Sequence, residues 1–128
     1  MRIFKTKWVV RYVRKERIAD ASLVEAVDRA DRGLVDADLG GGIIKQRVAR
    51  SGQGRSSGYR MLLAYRTANR AVFLYAFAKN ERENIGHNEL LAWREIGARW
   101  LVEEERGIGR AIKEEELEEI ADGSDKDS

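Results

Sequence analysis

Three strand-like runs joined by short connections constrain this chain most: Ile43 to Ala49, Tyr59 to Arg66, and Arg70 to Lys79. Connections this short leave no room for a helical crossover, so neighbouring runs must pair antiparallel as a meander. Ser51 to Gly58 (SGQGRSSG) reads as a hairpin loop and Ala68-Asn69 as a tight turn. The third run is apolar nearly throughout, which suits a central strand. Side chains alternate across a strand, so Lys45 and Arg47 stand opposite Ile44 and Val48. Likewise Tyr59, Met61, Leu63 and Tyr65 share one face, with Arg60, Leu62, Ala64 and Arg66 on the other.

The meander is also free of acid. Leu39 to Asn80 spans 42 residues with no Asp or Glu and eight basic residues: Lys45, Arg47, Arg50, Arg55, Arg60, Arg66, Arg70 and Lys79. A basic sheet without carboxylates is an electrostatic footprint for a polyanion, nucleic acid above all. Residues 1–82 hold 18 Lys+Arg against 8 Asp+Glu, a net of +10; residues 83–128 hold 6 against 14, a net of −8. The split implies a basic working surface and an acidic end. The competing reading is an ordinary solvated, charge-rich surface.

A chain of 128 residues makes one domain with a core that needs no staple. It has no Cys, which excludes a thiol nucleophile, a Cys-ligated zinc and an iron–sulfur cluster. No apolar run approaches the roughly 20 residues of a membrane span, and the N-terminal MRIFKTKWVV is too short for a secretory signal. A cytoplasmic protein is expected.

Around the meander, Arg2 to Phe4 reads as a first strand. Thr6 caps a helix over 7–16; Phe4, ahead of it, and Trp8 and Tyr12 within it recur at four-residue spacing. Ser22 and Glu25 form a capping box for a second helix, with an apolar stripe Leu23, Val27, Ala30, Leu34 and a stop at Gly33. A third helix starts between Asn84 and Asn88 and carries Leu90, Trp93, Gly97 and Trp100 on one face. Gly107 and Gly109 read as a break, Ala111 to Ile120 as a weak helix, and ADGSDKDS as a disordered end.

GQGRSSG resembles a phosphate-binding loop only superficially, because a strand follows it rather than Lys-Ser/Thr and a helix. His87 is the single histidine; it is a candidate acid or base, or simply solvated surface. Metal-ligand spacing and paired carboxylates on the basic sheet are both lacking, so neither metal nor cofactor is expected. The remaining chemistry is that of Lys and Arg. RNA carries its own nucleophile, the 2′-hydroxyl, and its cleavage needs a proton acceptor, cations around the phosphorane and a proton donor. A lysine crowded by like charges can be the acceptor, and arginines supply fixed charge and forked hydrogen bonds. Lys45, Arg47, Arg60 and Lys79 come from three adjacent strands and can converge. Arg50, Arg55 and Arg82 can hold flanking phosphates, and Tyr59, Tyr65 or Tyr75 can stack on bases.

The order KQRVAR, loop, SSGYRMLLAYR, turn, AVFLYAFAKNERENI resembles the RelE/HigB family of toxins from bacterial type II toxin–antitoxin pairs. The upstream IADASLVEAVDRADRGLVDADLGGGIIKQRVAR fits a HigB-like branch. The likeness covers residues 2–105 and implies an α+β fold ordered β-α-α-β-β-β-α, with helices on one side of a mostly antiparallel four-stranded sheet. Residues 106–128 then form an acidic, partly disordered extension; by the charge split, masking of the basic sheet by this extension is a third reading. The resemblance further implies metal-independent mRNA endonuclease activity, usually on the ribosome, and a cognate antitoxin of helix-turn-helix type through which alone operator DNA is bound. By position, Lys45 and Arg47 match the basic pair of the second strand, Arg60 the SGYR arginine, and Lys79 and Arg82 the basic residues after the fourth strand. Asn80 stands where RelE has a further arginine, and Gly86 where it has a catalytic tyrosine, next to His87. The alternative is a binding protein of the same fold without nuclease activity, such as a gyrase-poisoning toxin of the ParE kind.

Overall fold

The computed structural model describes residues 1–49, 58–67, 69–82 and 84–120. The elements run β1 (Arg2–Thr6), α1 (Lys7–Glu16), α2 (Asp20–Asp31), β2 (Ala37–Gly40), β3 (Ile43–Val48), β4 (Tyr59–Arg66), β5 (Arg70–Ala78), α3 (His87–Val102), α4 (Glu105–Lys113) and β6 (Leu117–Ile120). The strands form one sheet in the order β2-β3-β4-β5-β1-β6. Among the described residues, only β1 and β5 pair in parallel. The expected α+β class and the β3-β4-β5 meander are present.

Two details of the expected architecture are corrected: the sheet has six strands rather than four, and helices cover both its faces. On one face, Val9 and Val13 of α1 and Leu23, Ala26, Val27 and Ala30 of α2 pack on Ile44, Val48, Met61, Leu63 and Phe73. On the other, Trp100 and Leu101 of α3 and Ile108 and Ala111 of α4 pack on Phe4, Ile43, Leu62, Ala64, Val72 and Leu74. Both clusters are apolar, as a sheet buried on both faces requires.

β2 is too short and too polar to register as a strand, yet it is held by a two-residue turn. Gly41 and Gly42 have φ of +63° and +83°, which suits the turn that matches strand twist and which residues with a Cβ rarely adopt. β6 corrects both the acidic extension and the weak helix expected over Ala111 to Ile120. Leu117 and Ile120 are buried while Glu118 and Glu119 are exposed, and Ile120 stands opposite Ile3. Gly107 and Gly109 lie inside α4 rather than at a break. The acids here serve the β1 side of the sheet. Glu119 bonds Arg2 at 2.8 Å, Glu118 bonds Lys5 at 2.9 Å, and Glu105 bonds Arg70 at 3.0 Å. Residues 105–120 are therefore part of the domain, and these carboxylates sit against β1 and β5 rather than over Lys45, Arg47 and Arg60.

The expected capping box is also absent: α2 starts at Asp20, with Ala19 at its cap and no side-chain bond there. The Ser22 N–H donates to the Ala19 carbonyl at 3.0 Å. Thr6 does cap α1, accepting from the Val9 N–H at 3.4 Å. Arg70, only 5% exposed, donates to the carbonyls of Trp100 (2.6 Å) and Glu103 (2.7 Å). A cation on the last carbonyls of α3 offsets their partial negative charge. Gly97 lets α3 lie close on the sheet, since a Cβ there would overlap Ile43 Cδ1 and crowd Ala64 and Leu74.

Candidate functional site

Strand register brings the predicted cations together. Arg47 stands opposite Arg60, and Arg60 opposite Phe77. One step along, Lys45 stands opposite Leu62, and Leu62 opposite Tyr75. Leu62 is in the α3-side cluster with Ile43, so alternation places Lys45, Arg47 and Arg60 on that same face. They lie at the end of the sheet where β3, β4 and β5 extend toward the 79–86 segment.

Tyr75 and Phe77 reach this face because of a β-bulge. The β4–β5 register shifts between Leu62 and Leu63, leaving Leu74 as the extra residue. Leu74 and Tyr75 then both belong to the α3 side, whereas strict alternation from Phe73 would send Tyr75 and Phe77 to the opposite face. Bulges re-aim side chains in this way.

The segment after β5 closes the site. The Lys79 N–H donates to the Gly58 carbonyl at 3.2 Å, and its side chain is exposed. Arg82 lies over the Phe77 ring at 5.5 Å, donates to Glu89 of α3 at 2.7 Å, and bonds the Asn84 carbonyl at 2.9 Å. The Glu89 hydrogen bond raises the Arg82 pKa, and the Arg82 bond lowers that of Glu89. Lys45 Nζ reaches Asn84 Oδ1 at 3.5 Å.

Arg47 is positioned by a carboxylate that the sequence did not single out. Asp36 accepts from the Arg47 backbone N–H at 2.7 Å and from its guanidinium at 3.1 Å. Asp36 also accepts from Arg29 at 3.1 Å, and Arg29 donates to the Arg47 carbonyl. Burial pushes the Asp36 pKa up, but the Arg47 and Arg29 bonds outweigh it and hold the carboxyl below its ordinary value. Burial, and after it the Arg47 charge, lowers the Arg60 pKa. Gln46, fully buried on the other face, ties the assembly to α2. Its amide donates to the Ala26 carbonyl at 2.9 Å, and its carbonyl accepts from the Asp36 N–H at 2.7 Å.

An aromatic run borders the cations. Tyr75 stacks on Trp93 of α3 at 5.1 Å and lies 4.7 Å from Trp8 of α1, which in turn stacks on Tyr12 at 5.1 Å. Trp8 remains 42% exposed.

The other predicted residues fall elsewhere. Tyr59 points to the α1–α2 side, is 2% exposed and donates to Glu16 at 3.0 Å. It is a core residue and not an open stacking platform, because the alternation that exposes Arg60 buries its neighbour. Tyr65 is also on that side and bonds Asp31. His87 is exposed at the first turn of α3, two residues before the Arg82 partner Glu89. Arg50 and Arg55 lie outside the described residues. Sequence reasoning missed Asp36, Phe77, Asn84, Glu89 and Trp93 because register, bulge and a returning loop bring them in. Among the described residues, no three His, Asp or Glu side chains gather as a metal site would need.

The model of the RelE toxin of the RelE/RelB toxin–antitoxin system matches residues 1–120. The chain belongs to the RelE toxin family. It is accordingly the toxin of a toxin–antitoxin pair, and its partner is an antitoxin. The match takes in α4 and β6, in keeping with their place in the sheet. No curated protein and no solved structure matches the chain. Among the described residues, no helix is long and apolar enough to cross a membrane.

Proposed function

We propose that this RelE-family toxin is a HigB-like, metal-independent endoribonuclease that acts in the cytoplasm and cuts translated mRNA on the ribosome. The observation that carries the reading is the pair of adjacent rows, Arg47–Arg60–Phe77 and Lys45–Leu62–Tyr75, on one face of the sheet. Cations fixed on a rigid sheet stabilise charge that develops on a phosphate without reorganising at the moment of reaction. In this reading Lys45 accepts the 2′-hydroxyl proton, and the resulting oxygen attacks the adjacent phosphorus. Arg47 and Arg60 hold the non-bridging oxygens of the phosphorane. The 5′-oxygen departs with a proton, for which His87 is the candidate donor. Lys79 and Arg82 position the flanking backbone, joined by Arg50 and Arg55. The antitoxin is of helix-turn-helix type, and the toxin meets operator DNA only through it.

The test is induction of wild type, Lys45→Ala and Arg60→Ala in a bacterial host, with mapping of mRNA 5′ ends. Wild type should arrest growth and leave cuts phased with the reading frame, and each variant should lose about 10²–10³-fold in cleavage. Arrest with intact mRNA and trapped DNA breaks would instead identify a gyrase poison.

A further inference from the structure

We infer that Asn84 is a positioning residue for the cleavage reaction: its side-chain oxygen orients the Lys45 amine toward the 2′-hydroxyl of the RNA. The inference deepens the nuclease reading and rests on it. Asn84 lies in the segment between β5 and α3 and is exposed. Lys45 Nζ donates to Asn84 Oδ1 at 3.5 Å. That is long for a hydrogen bond, as contacts between catalytic groups often are before substrate closes a site. The acceptor itself is fixed. Asn84 Oδ1 also accepts from the Ile85 N–H at 3.0 Å, a local bond that pins the amide. The Asn84 carbonyl accepts from Arg82 Nε at 2.9 Å, and Arg82 in turn bonds Glu89 of α3 at 2.7 Å. A chain of hydrogen bonds thus runs from a helix, through Arg82 and Asn84, to the candidate base.

A lysine acts as a base only as the neutral amine, which has two N–H bonds and one lone pair. A fixed acceptor for one N–H removes rotational freedom and leaves the lone pair to face the RNA. A third group orients the base of a hydrolytic triad in the same way. The 2′-hydroxyl proton passes to the lone pair and leaves an ammonium. The 2′-oxygen bonds phosphorus, the bond from phosphorus to the 5′-oxygen breaks, and the departing oxygen takes a proton from His87, the candidate donor. The neutrality of the acceptor matters, because a carboxylate in its place would favour the ammonium form and keep the lone pair occupied. The charged groups around the amine are Arg47 on its own strand, Arg60 on β4 and Arg82 before α3. The carboxylates of the site are engaged elsewhere, Asp36 by Arg29 and Arg47, and Glu89 by Arg82.

The test is the pH profile of single-turnover cleavage by the full-length toxin on ribosomes carrying a short mRNA, with Asn84→Ala, Asn84→Asp and Lys45→Ala beside wild type. Asn84→Ala should cut about tenfold more slowly across the profile, with the half-saturating ribosome concentration within about twofold of wild type. Asn84→Asp should move the rise of the profile upward by about one pH unit, so that it is about tenfold slower than wild type near neutral pH and closes on it as the pH is raised. The position of the rise is the readout, since a partly unfolded variant lowers the profile without moving it. Two results, each with Lys45→Ala inactive, would overturn the role of Asn84 and leave the nuclease reading standing: an Asn84→Ala rate within about twofold of wild type, or an Asn84→Asp profile superposable on that of wild type. Lys45→Ala cutting like wild type would overturn both.

Discussion

Replacing Asp36 with Asn tests whether one carboxylate holds the Arg47 corner together. The Asp36 side chain is 17% exposed and that of Arg29 is 7% exposed. Asn keeps an acceptor for the Arg47 N–H but removes the charge facing two guanidinium groups. A hydrogen bond to a charged group contributes about 1.5–3 kcal/mol, and the exposed Arg47 end is discounted for solvent screening. The expected loss at pH 7 is about 2–3 kcal/mol, or roughly 10 °C in Tm for a chain of this size. The pH dependence has a definite sign. Asp36 is held below its ordinary value when folded, so its stabilisation is full above the unfolded carboxylate pKa of about 3.9 and is lost as pH falls through the folded value. Urea denaturation of both proteins should show a constant gap from pH 5 to 8 that narrows below pH 4. A gap under about 0.5 kcal/mol at pH 7, or one of the same size at pH 3, would refute the reasoning.

Two further outcomes follow from the packing and the face assignments. Ile43→Val removes the Cδ1 that a Cβ at Gly97 would overlap, so the Gly97→Ala/Ile43→Val pair should cost about 1 kcal/mol less than the summed single variants in a double-mutant cycle; strict additivity would mean that α3 does not sit as closely as described. Tyr59→Phe should leave RNA cleavage within about twofold while losing about 1 kcal/mol from the Glu16 bond, and a collapse of cleavage at unchanged stability would return Tyr59 to the RNA surface.

The parts of the fold legible in the sequence are those set by local pattern. The helix over 7–16, its Thr6 cap and the alternation of β4 all correspond to the elements formed, whereas Phe4 of the aromatic spacing lies in β1 and Trp8 stays 42% exposed. The cations Lys45, Arg47 and Arg60 were readable as one face because β3 and β4 are regular between Ile43 and Arg66. β2 and β6 were not, since four residues each carry too little periodicity and are made strands by their neighbours. Ser22 and Glu25 match a cap by type, but the cap falls three residues earlier, at Ala19, and α2 opens with Asp20, which bonds the buried Lys5 at 2.8 Å. Tyr75 illustrates the deeper limit. A single inserted residue at Leu74 reverses the parity of everything after it, and nothing in AVFLYAFA marks where the inversion falls.

The pairing of Ile3 with Ile120 links the first strand to the last. In a chain made from its N-terminus, β1 must wait with one side unmatched until residue 120 has been added. Long-range seams of this kind close late. Until residues 117–120 arrive, β1 offers an open strand edge with which any extended segment can pair.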